Sequence, residues 1–182
     1  MAVKNILRIG DEFLLKIAQP VTKYATPELA ALVQDLFDTM HAADGAGLAA
    51  PQIGVGLRVV IIGSKDNPRY PNREPVPTTV LVNPEITPLD GEIMEDWEGC
   101  LSVPKMRGWV PRHRRIRYRA HTPEGAIIDR EVEGFHARVV QHECDHLDGI
   151  LYPQRVSDMR RFGFEQELFK ERLSQAENDG EA

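Results

Sequence analysis

The chain has 182 residues, which fits a single domain large enough to bury a core. Its composition is ordinary for a globular protein, and its net charge of −6 argues against DNA binding and against attraction to an anionic membrane. No stretch approaches the roughly 20 apolar residues of a membrane span, and the charged first 15 residues lack the apolar run of a signal peptide. We therefore expect a cytoplasmic protein whose two cysteines are reduced thiols.

The first predicted element is a helix that begins at Pro27 and runs to about His41. Thr26 is a favourable N-cap, and proline is favoured at the first helical position. Apolar residues then recur at helical spacing from Leu29 to Met40. The Asp-Gly-Ala-Gly segment at 44–47 ends the helix.

Strands are predicted where apolar residues form short runs or alternate with polar ones. They are expected at residues 57–62, 78–86, 115–121 and 126–132. In the third strand, Ile116, Tyr118 and Ala120 share one face and arginines the other, which is typical of a half-buried strand. The segment 64–77 is rich in proline, asparagine and charge, and is predicted to be a surface loop.

Two further helices are predicted at residues 135–147 and 165–173, the first of them ended by Gly149. The order of helix, strands and helix predicts an α+β fold with mainly antiparallel sheets and with N- and C-terminal helices. Residues 1–173 are expected to form one domain. The polar residues 174–182 are expected to form a frayed tail.

The second predicted helix carries the most informative motif, Gln-His-Glu-Cys-Asp-His at residues 141–146. Each residue turns a helix by about 100°, so His142 and His146 lie only about 40° apart and can reach one metal ion. Glu143 stands beside them, where it can act on a metal-bound water without being a ligand. Cys144 is about 200° from His142 and faces away. The alternative is a surface helix that carries two histidines by chance.

A catalytic metal site needs a third protein ligand and an open position for water. The metzincin pattern would place a third histidine where this chain has Tyr152, so that pattern is rejected. Glu165 or Glu167 would complete a zincin-type endopeptidase site. Cys100 offers a thiolate, which suits a borderline-soft ion, but its surroundings are too irregular to predict a regular element. A lone cysteine is also more often an inert buried residue. The residues alone leave these alternatives open.

Three segments taken together resemble the peptide deformylases. They are Gly-Ala-Gly-Leu-Ala-Ala-Pro-Gln at 45–52, Glu-Gly-Cys-Leu-Ser at 98–102, and the histidine motif at 141–146. They occur in the family's order, and the similarity extends from about Ile6 to Arg155. The histidine motif alone is shared by many proteases, whereas the ordered set is specific. Cys144 stands where the family usually has methionine, and it faces away from the site.

The resemblance implies a set of roles and an activity. It implies metal ligation by Cys100, His142 and His146, acid–base catalysis by Glu143, oxyanion stabilisation by Gln52 and the backbone N–H of Leu101, and substrate contacts from Gly45, Ala46, Gly47 and Gly99. It also implies sheets arranged around a central metal-binding helix. The expected cofactor is one divalent ion, natively Fe²⁺, with Zn²⁺, Ni²⁺ or Co²⁺ as substitutes. The expected reaction removes the N-formyl group from the initiator methionine of N-formylmethionyl nascent peptides and releases formate.

The local run of arginines at residues 112–119 suggests two interpretations that involve RNA. One is a non-catalytic RNA-binding module with a structural metal, but such a metal normally has four protein ligands, and no clear fourth is found. The other is ribosome association through Arg114, Arg115, Arg117 and Arg119, because the chain from Arg155 onward is acidic and would repel phosphates. Any such contact is expected to be weak and salt-sensitive.

Overall fold

The computed structural model describes residues 2–64 and 73–170. The strands are β1 (Gly47–Ala49), β2 (Val59–Ile62), β3 (Thr79–Pro88), β4 (Ile93–Cys100), β5 (Val103–His113), β6 (Arg115–His121), β7 (Ile127–Glu133) and β8 (Phe162–Phe164). The α-helices are α1 (Pro27–Ala42), α2 (Gly134–Leu147) and the single turn α3 (Glu165–Leu168). The strands form two antiparallel sheets, ordered β1-β2-β3-β6-β7 and β4-β5-β8. The predicted α+β class is confirmed.

The larger sheet lies between the two long helices. In β2, Val59 and Ile61 pack with the apolar face of α1, while Val60 and Ile62 pack with α2 on the opposite face. All four side chains are fully buried, which explains the unbroken apolar run. Burial of each such side chain contributes about 1.5–3 kcal/mol to the free energy of folding. This packing holds α2 in a fixed position on the sheet.

Helix α1 begins as its sequence predicts. The hydroxyl of Thr26 accepts a hydrogen bond from the backbone N–H of Leu29 at 3.2 Å, and Pro27 occupies the first turn. Such a cap satisfies one of the backbone donors that every helix leaves without an internal partner. The helix ends at Ala42, one residue beyond the predicted end.

The smaller sheet contains the segment around Cys100, for which the sequence predicted no regular element. That prediction is wrong, because Cys100 is the last residue of β4, and a turn at Leu101 and Ser102 leads into β5. The sequence pattern did not indicate this strand because the charged Glu98 occupies an inward, buried position. An alternating strand pattern has an apolar residue at such a position.

The predicted C-terminal helix can be compared with the structure only as far as Lys170. Helix α3 covers only Glu165–Leu168, and residues from 171 onward, including the predicted tail at 174–182, lie outside the described residues. The predicted surface loop is described only at its two ends, where Ser64 and the buried Val76 are hydrogen-bonded to each other. No described helix is long and apolar enough to cross a membrane.

Candidate metal centre

Cys100, His142 and His146 converge at one buried point. Cys100 ends β4, and the two histidines come from successive turns of α2. Their Sγ and imidazole nitrogen atoms all lie within 4.8 Å of one another, and Cys100 Sγ is 3.3 Å from His146 Nε2. The structure therefore brings together the three residues that the sequence nominated as metal ligands.

The chemistry of these donors fits a divalent metal ion. Burial alone would raise the pKa of the Cys100 thiol, but the charge of His146 and hydrogen bonds from both imidazoles outweigh burial and hold this pKa well below its usual value. A thiolate and two imidazoles are preferred ligands of borderline-soft ions, and three protein ligands leave a position for water. Cys144 differs from Cys100 in its surroundings and in its acidity. It packs in the apolar core under the larger sheet, and burial raises the pKa of its thiol.

Glu98 fixes the orientation of His142. Its Oε2 lies 2.9 Å from His142 Nδ1, which leaves the other ring nitrogen for the metal position. Burial would raise the pKa of Glu98, but the charge of Arg112, which binds both carboxylate oxygens at 2.9 and 3.0 Å, outweighs burial and holds this pKa well below its usual range. Glu98 was not among the site residues predicted from the sequence.

A chain of buried ion pairs continues from Glu98 to the surface. Arg112, which the sequence placed in the basic run, is only 5% exposed and also pairs with Asp145 on α2. Asp145 in turn accepts a hydrogen bond from Arg155 at 2.7 Å. Asp145 stands three residues after His142, about 60° from it around the helix. That shared face is the signal by which the sequence could have identified it.

Glu143 lies against the backbone of β1. Its side chain is 5% exposed, and burial raises its pKa to about 7. A Cβ atom on Gly47 would stand 2.7 Å from Glu143 Cγ and Cδ, closer than real contacts allow. Glu143 Oε2 is buried and has no hydrogen-bond partner among the described residues. The carboxylate is therefore packed in place, with one oxygen left for a ligand.

This packing predicts that Gly47→Ala lowers the rate of turnover strongly. The added methyl group must displace the carboxylate of Glu143, to which the family resemblance assigns acid–base catalysis. A shift of about 1 Å in a catalytic group can cost roughly a hundredfold in rate. We expect kcat to fall by about that factor while circular dichroism shows a folded protein. Gly91→Ala is the matched control, because a Cβ at Gly91 meets no atom within 4 Å. Equal activities of the two variants would show that the Gly47 contact does not position Glu143.

Gln52 is buried beside the candidate ligand Cys100, at 2% exposure. Its Oε1 accepts a hydrogen bond from the backbone N–H of Ala49 at 2.8 Å. Its Nε2 donates to Ser102 Oγ at 3.0 Å and lies 3.5 Å from Cys100 Sγ. The sequence nominated Gln52 but not Ser102, which holds the amide. The amide is thus fixed with its donor group next to the thiolate.

A pocket opens at this centre. Its lining includes every site residue that the family resemblance implied except His146, which is 1% exposed. It adds Trp97, Glu98, Phe135, Arg138 and Val139. On its two sides lie β1, an edge strand of the larger sheet, and β4, an edge strand of the smaller one. The pocket is therefore a cleft between two sheet edges.

The rival third ligand of a zincin-type site lies elsewhere. Both Nε and Nη2 of Arg107 bind one carboxylate oxygen of Glu165, at 3.1 and 3.0 Å. Within residues 2–64 and 73–170, Cys100, His142 and His146 are the only cluster with the geometry to hold a metal ion. The geometry therefore favours the cysteine-containing site over the protease alternative.

Comparison with known proteins agrees with the family resemblance that the three sequence segments indicate. Residues 3–162 match the family described as polypeptide deformylase. Peptide deformylase 1 of Nitrosomonas europaea is 60% identical over 167 residues, covering 92% of this chain and 95% of the relative. Peptide deformylase 2 of Ralstonia nicotianae is 60% identical, covering 93% and 96%. A Met-Ala-Ser-bound crystal structure of a peptide deformylase from Acinetobacter baumannii superimposes with a TM-score of 0.82 at 39% identity, covering 85% of this chain and 99% of that one.

Proposed function

Because this chain belongs to the peptide deformylase family, whose members remove the N-formyl group from newly made peptides, we propose that Cys100, His142 and His146 hold the catalytic metal ion. The convergence of their three donor atoms is the observation that carries the proposal. We further propose Fe²⁺ as the native ion, with Zn²⁺, Ni²⁺ or Co²⁺ able to replace it. When bound, such an ion lowers the pKa of a water molecule and polarises a carbonyl oxygen.

We propose that Glu143 transfers the protons of the reaction. A base is most effective when its pKa is close to the working pH, and burial brings the pKa of Glu143 to about 7. Glu143 accepts a proton from the attacking water and delivers it to the departing amine. Its packing against Gly47 keeps the carboxylate oriented through both steps. It is thus a proton-transfer group and not a ligand.

We propose that Gln52 and the backbone N–H of Leu101 stabilise the negative charge that develops on the formyl oxygen when water attacks the formyl carbon. Such donors typically contribute about 3 kcal/mol each to the transition state. Gln52 is anchored through its Oε1 and by Ser102, so its N–H direction is set before substrate arrives. Leu101 lies in the turn that follows Cys100, in the wall of the pocket.

We propose that the peptide lies extended between the two sheet edges. The backbone of Gly45, Ala46 and Gly47 on one side and Gly99 on the other would bind it in the manner of an added strand. Small residues at these positions let two backbones approach closely. The related structure that binds Met-Ala-Ser supports a cleft that accepts several substrate residues.

The direct test is formate release from formyl-Met-Ala-Ser by protein purified without oxygen, together with metal analysis. Formate and a free amine should appear in equal amounts, and the rate should follow the iron content. Loss of iron in air should remove activity, and adding Ni²⁺ or Co²⁺ should restore it. Full activity in metal-free protein would overturn the proposal.

For Gln52→Ala we expect kcat and kcat/KM to fall together by about a hundredfold or more, because an oxyanion donor acts in the transition state. Ser102→Ala is the comparison variant, since it removes one of the two anchors of the Gln52 amide but keeps the donor group itself and its anchor at the Ala49 N–H. Its effect should be much smaller. A rise in KM alone for Gln52→Ala would instead indicate that Gln52 only binds substrate.

We propose cytoplasmic action with a weak, salt-sensitive contact to the ribosome through Arg114, Arg115, Arg117 and Arg119. Each of these arginines pairs with an acidic side chain, as Arg117 does with Asp129 at 2.6 Å, which reduces the local positive field. The contact is therefore expected to be weak, and co-sedimentation with ribosomes should be lost when Arg115 and Arg117 are both changed to Glu. If truncation after Leu173 removes binding and the charge reversal does not, the C-terminal segment is the contact.

A further inference from the structure

Trp97 lines the cleft and has no role in the chemistry described above. It precedes Glu98 in β4, and because side chains alternate along a strand, the two leave the sheet on opposite faces. Glu98 is directed to Arg112 and His142, whereas the half-buried Trp97 meets the C-terminal segment and the cleft. Trp97 is therefore part of the cleft wall, whereas Glu98 orients a proposed metal ligand.

Two aromatic side chains pack against the Trp97 indole. Its ring centroid is 5.3 Å from that of Trp109, its partner in the β4–β5 register, and 5.1 Å from that of Phe169, both edge to face. Arg161 places its guanidinium carbon 3.8 Å from the Trp109 ring centroid. These are favourable aromatic and cation–π geometries. The indole is thus preorganised, and a ligand that contacts it need not order it.

The distance along β4 indicates which part of a peptide would reach this indole. Trp97 stands three residues before Cys100, which is about 10 Å in a strand. An extended peptide with its formyl group at the metal position advances about 3.3 Å per residue. The side chains near Trp97 are therefore those that follow the methionine.

We propose that Trp97 is a specificity-determining residue that favours peptides with a large apolar or aromatic side chain after the methionine. This rests on the proposed function, which places the peptide in the cleft. An indole offers a wide, apolar surface, and burying an apolar side chain against it is favourable, whereas a small or acidic side chain gains little.

The kinetic test compares formyl-Met-Ala-Ser, formyl-Met-Phe-Ser, formyl-Met-Ala-Phe and formyl-Met amide. In the unchanged enzyme, a phenylalanine peptide should exceed formyl-Met-Ala-Ser in kcat/KM by about five- to tenfold. Trp97→Ala should remove that preference. Its kcat/KM for formyl-Met amide should stay within about twofold of the value for the unchanged enzyme. Trp97→Phe, which keeps an aromatic ring against Trp109, should retain part of it. A preference that persists in Trp97→Ala, or an equal loss on all four substrates, would overturn the proposal.

A binding test does not depend on turnover. The chain has two tryptophans, so Trp109→Phe leaves Trp97 as the only indole. Saturating Met-Phe-Ser or Met-Ala-Phe should shift or quench its emission, while Met amide should change it little. Unchanged Trp97 emission with each of the two phenylalanine peptides bound would overturn the proposal. Absence of formate release by the unchanged enzyme would instead count against the proposed function.

Discussion

Replacing Glu143 with glutamine is expected to leave the metal ion bound and to lower kcat by about 10²- to 10⁴-fold, the usual contribution of a positioned acid–base group. Glutamine has the same shape, so the packing against Gly47 is kept, but it cannot accept and return a proton. Glu143 lies outside the cluster of metal-ligating atoms, so metal content should stay near one ion per chain. Formate release and elemental analysis of the same preparation measure both quantities.

The matched control is Glu131→Gln, which changes an exposed carboxylate in β7, away from the cleft. This variant should behave like the unchanged enzyme. Turnover of Glu143→Gln within a few-fold of normal would exclude the proton-transfer role. Loss of metal together with activity would mean that Glu143 contributes to ligation.

Cys100→Ser is expected to lose its bound metal and nearly all activity, whereas Cys144→Ser is expected to keep both. The reason is that a hydroxyl group is a far poorer ligand than the thiolate that His146 stabilises at Cys100. Cys144 instead packs among apolar side chains in the core. Burying a serine hydroxyl there without a partner should lower the free energy of unfolding by about 1–3 kcal/mol.

The pair of cysteine variants therefore separates two effects. Metal content and kcat/KM should respond to the change at Cys100, and the urea midpoint to the change at Cys144. Loss of metal from Cys144→Ser, with Cys100→Ser unaffected, would contradict the assignment of ligands.

The sequence predicted best what depends on local periodicity. Helix α1 and the placement of His142 and His146 on one face of α2 follow from residues a few positions apart, and the structure agrees. The β4–β5 hairpin was missed because inward positions carry Glu98 and Arg112, which are stable there because they pair with each other, 14 residues apart, and with charged side chains of α2. Pairing over such a distance leaves no periodic signal, so the position of Cys100 depended on the family resemblance.

The three proposed metal ligands come from two different layers of the protein. Cys100 belongs to the smaller sheet, and the histidines belong to a helix packed on the larger one. An ion held by all three would act as a crosslink between layers, so its binding free energy would also be folding free energy. At a free metal concentration a hundred times the Kd, this linkage amounts to about 2.7 kcal/mol. Oxidation or removal of the ion would therefore cost the enzyme thermal stability as well as turnover, and metal supply would influence how long the protein survives.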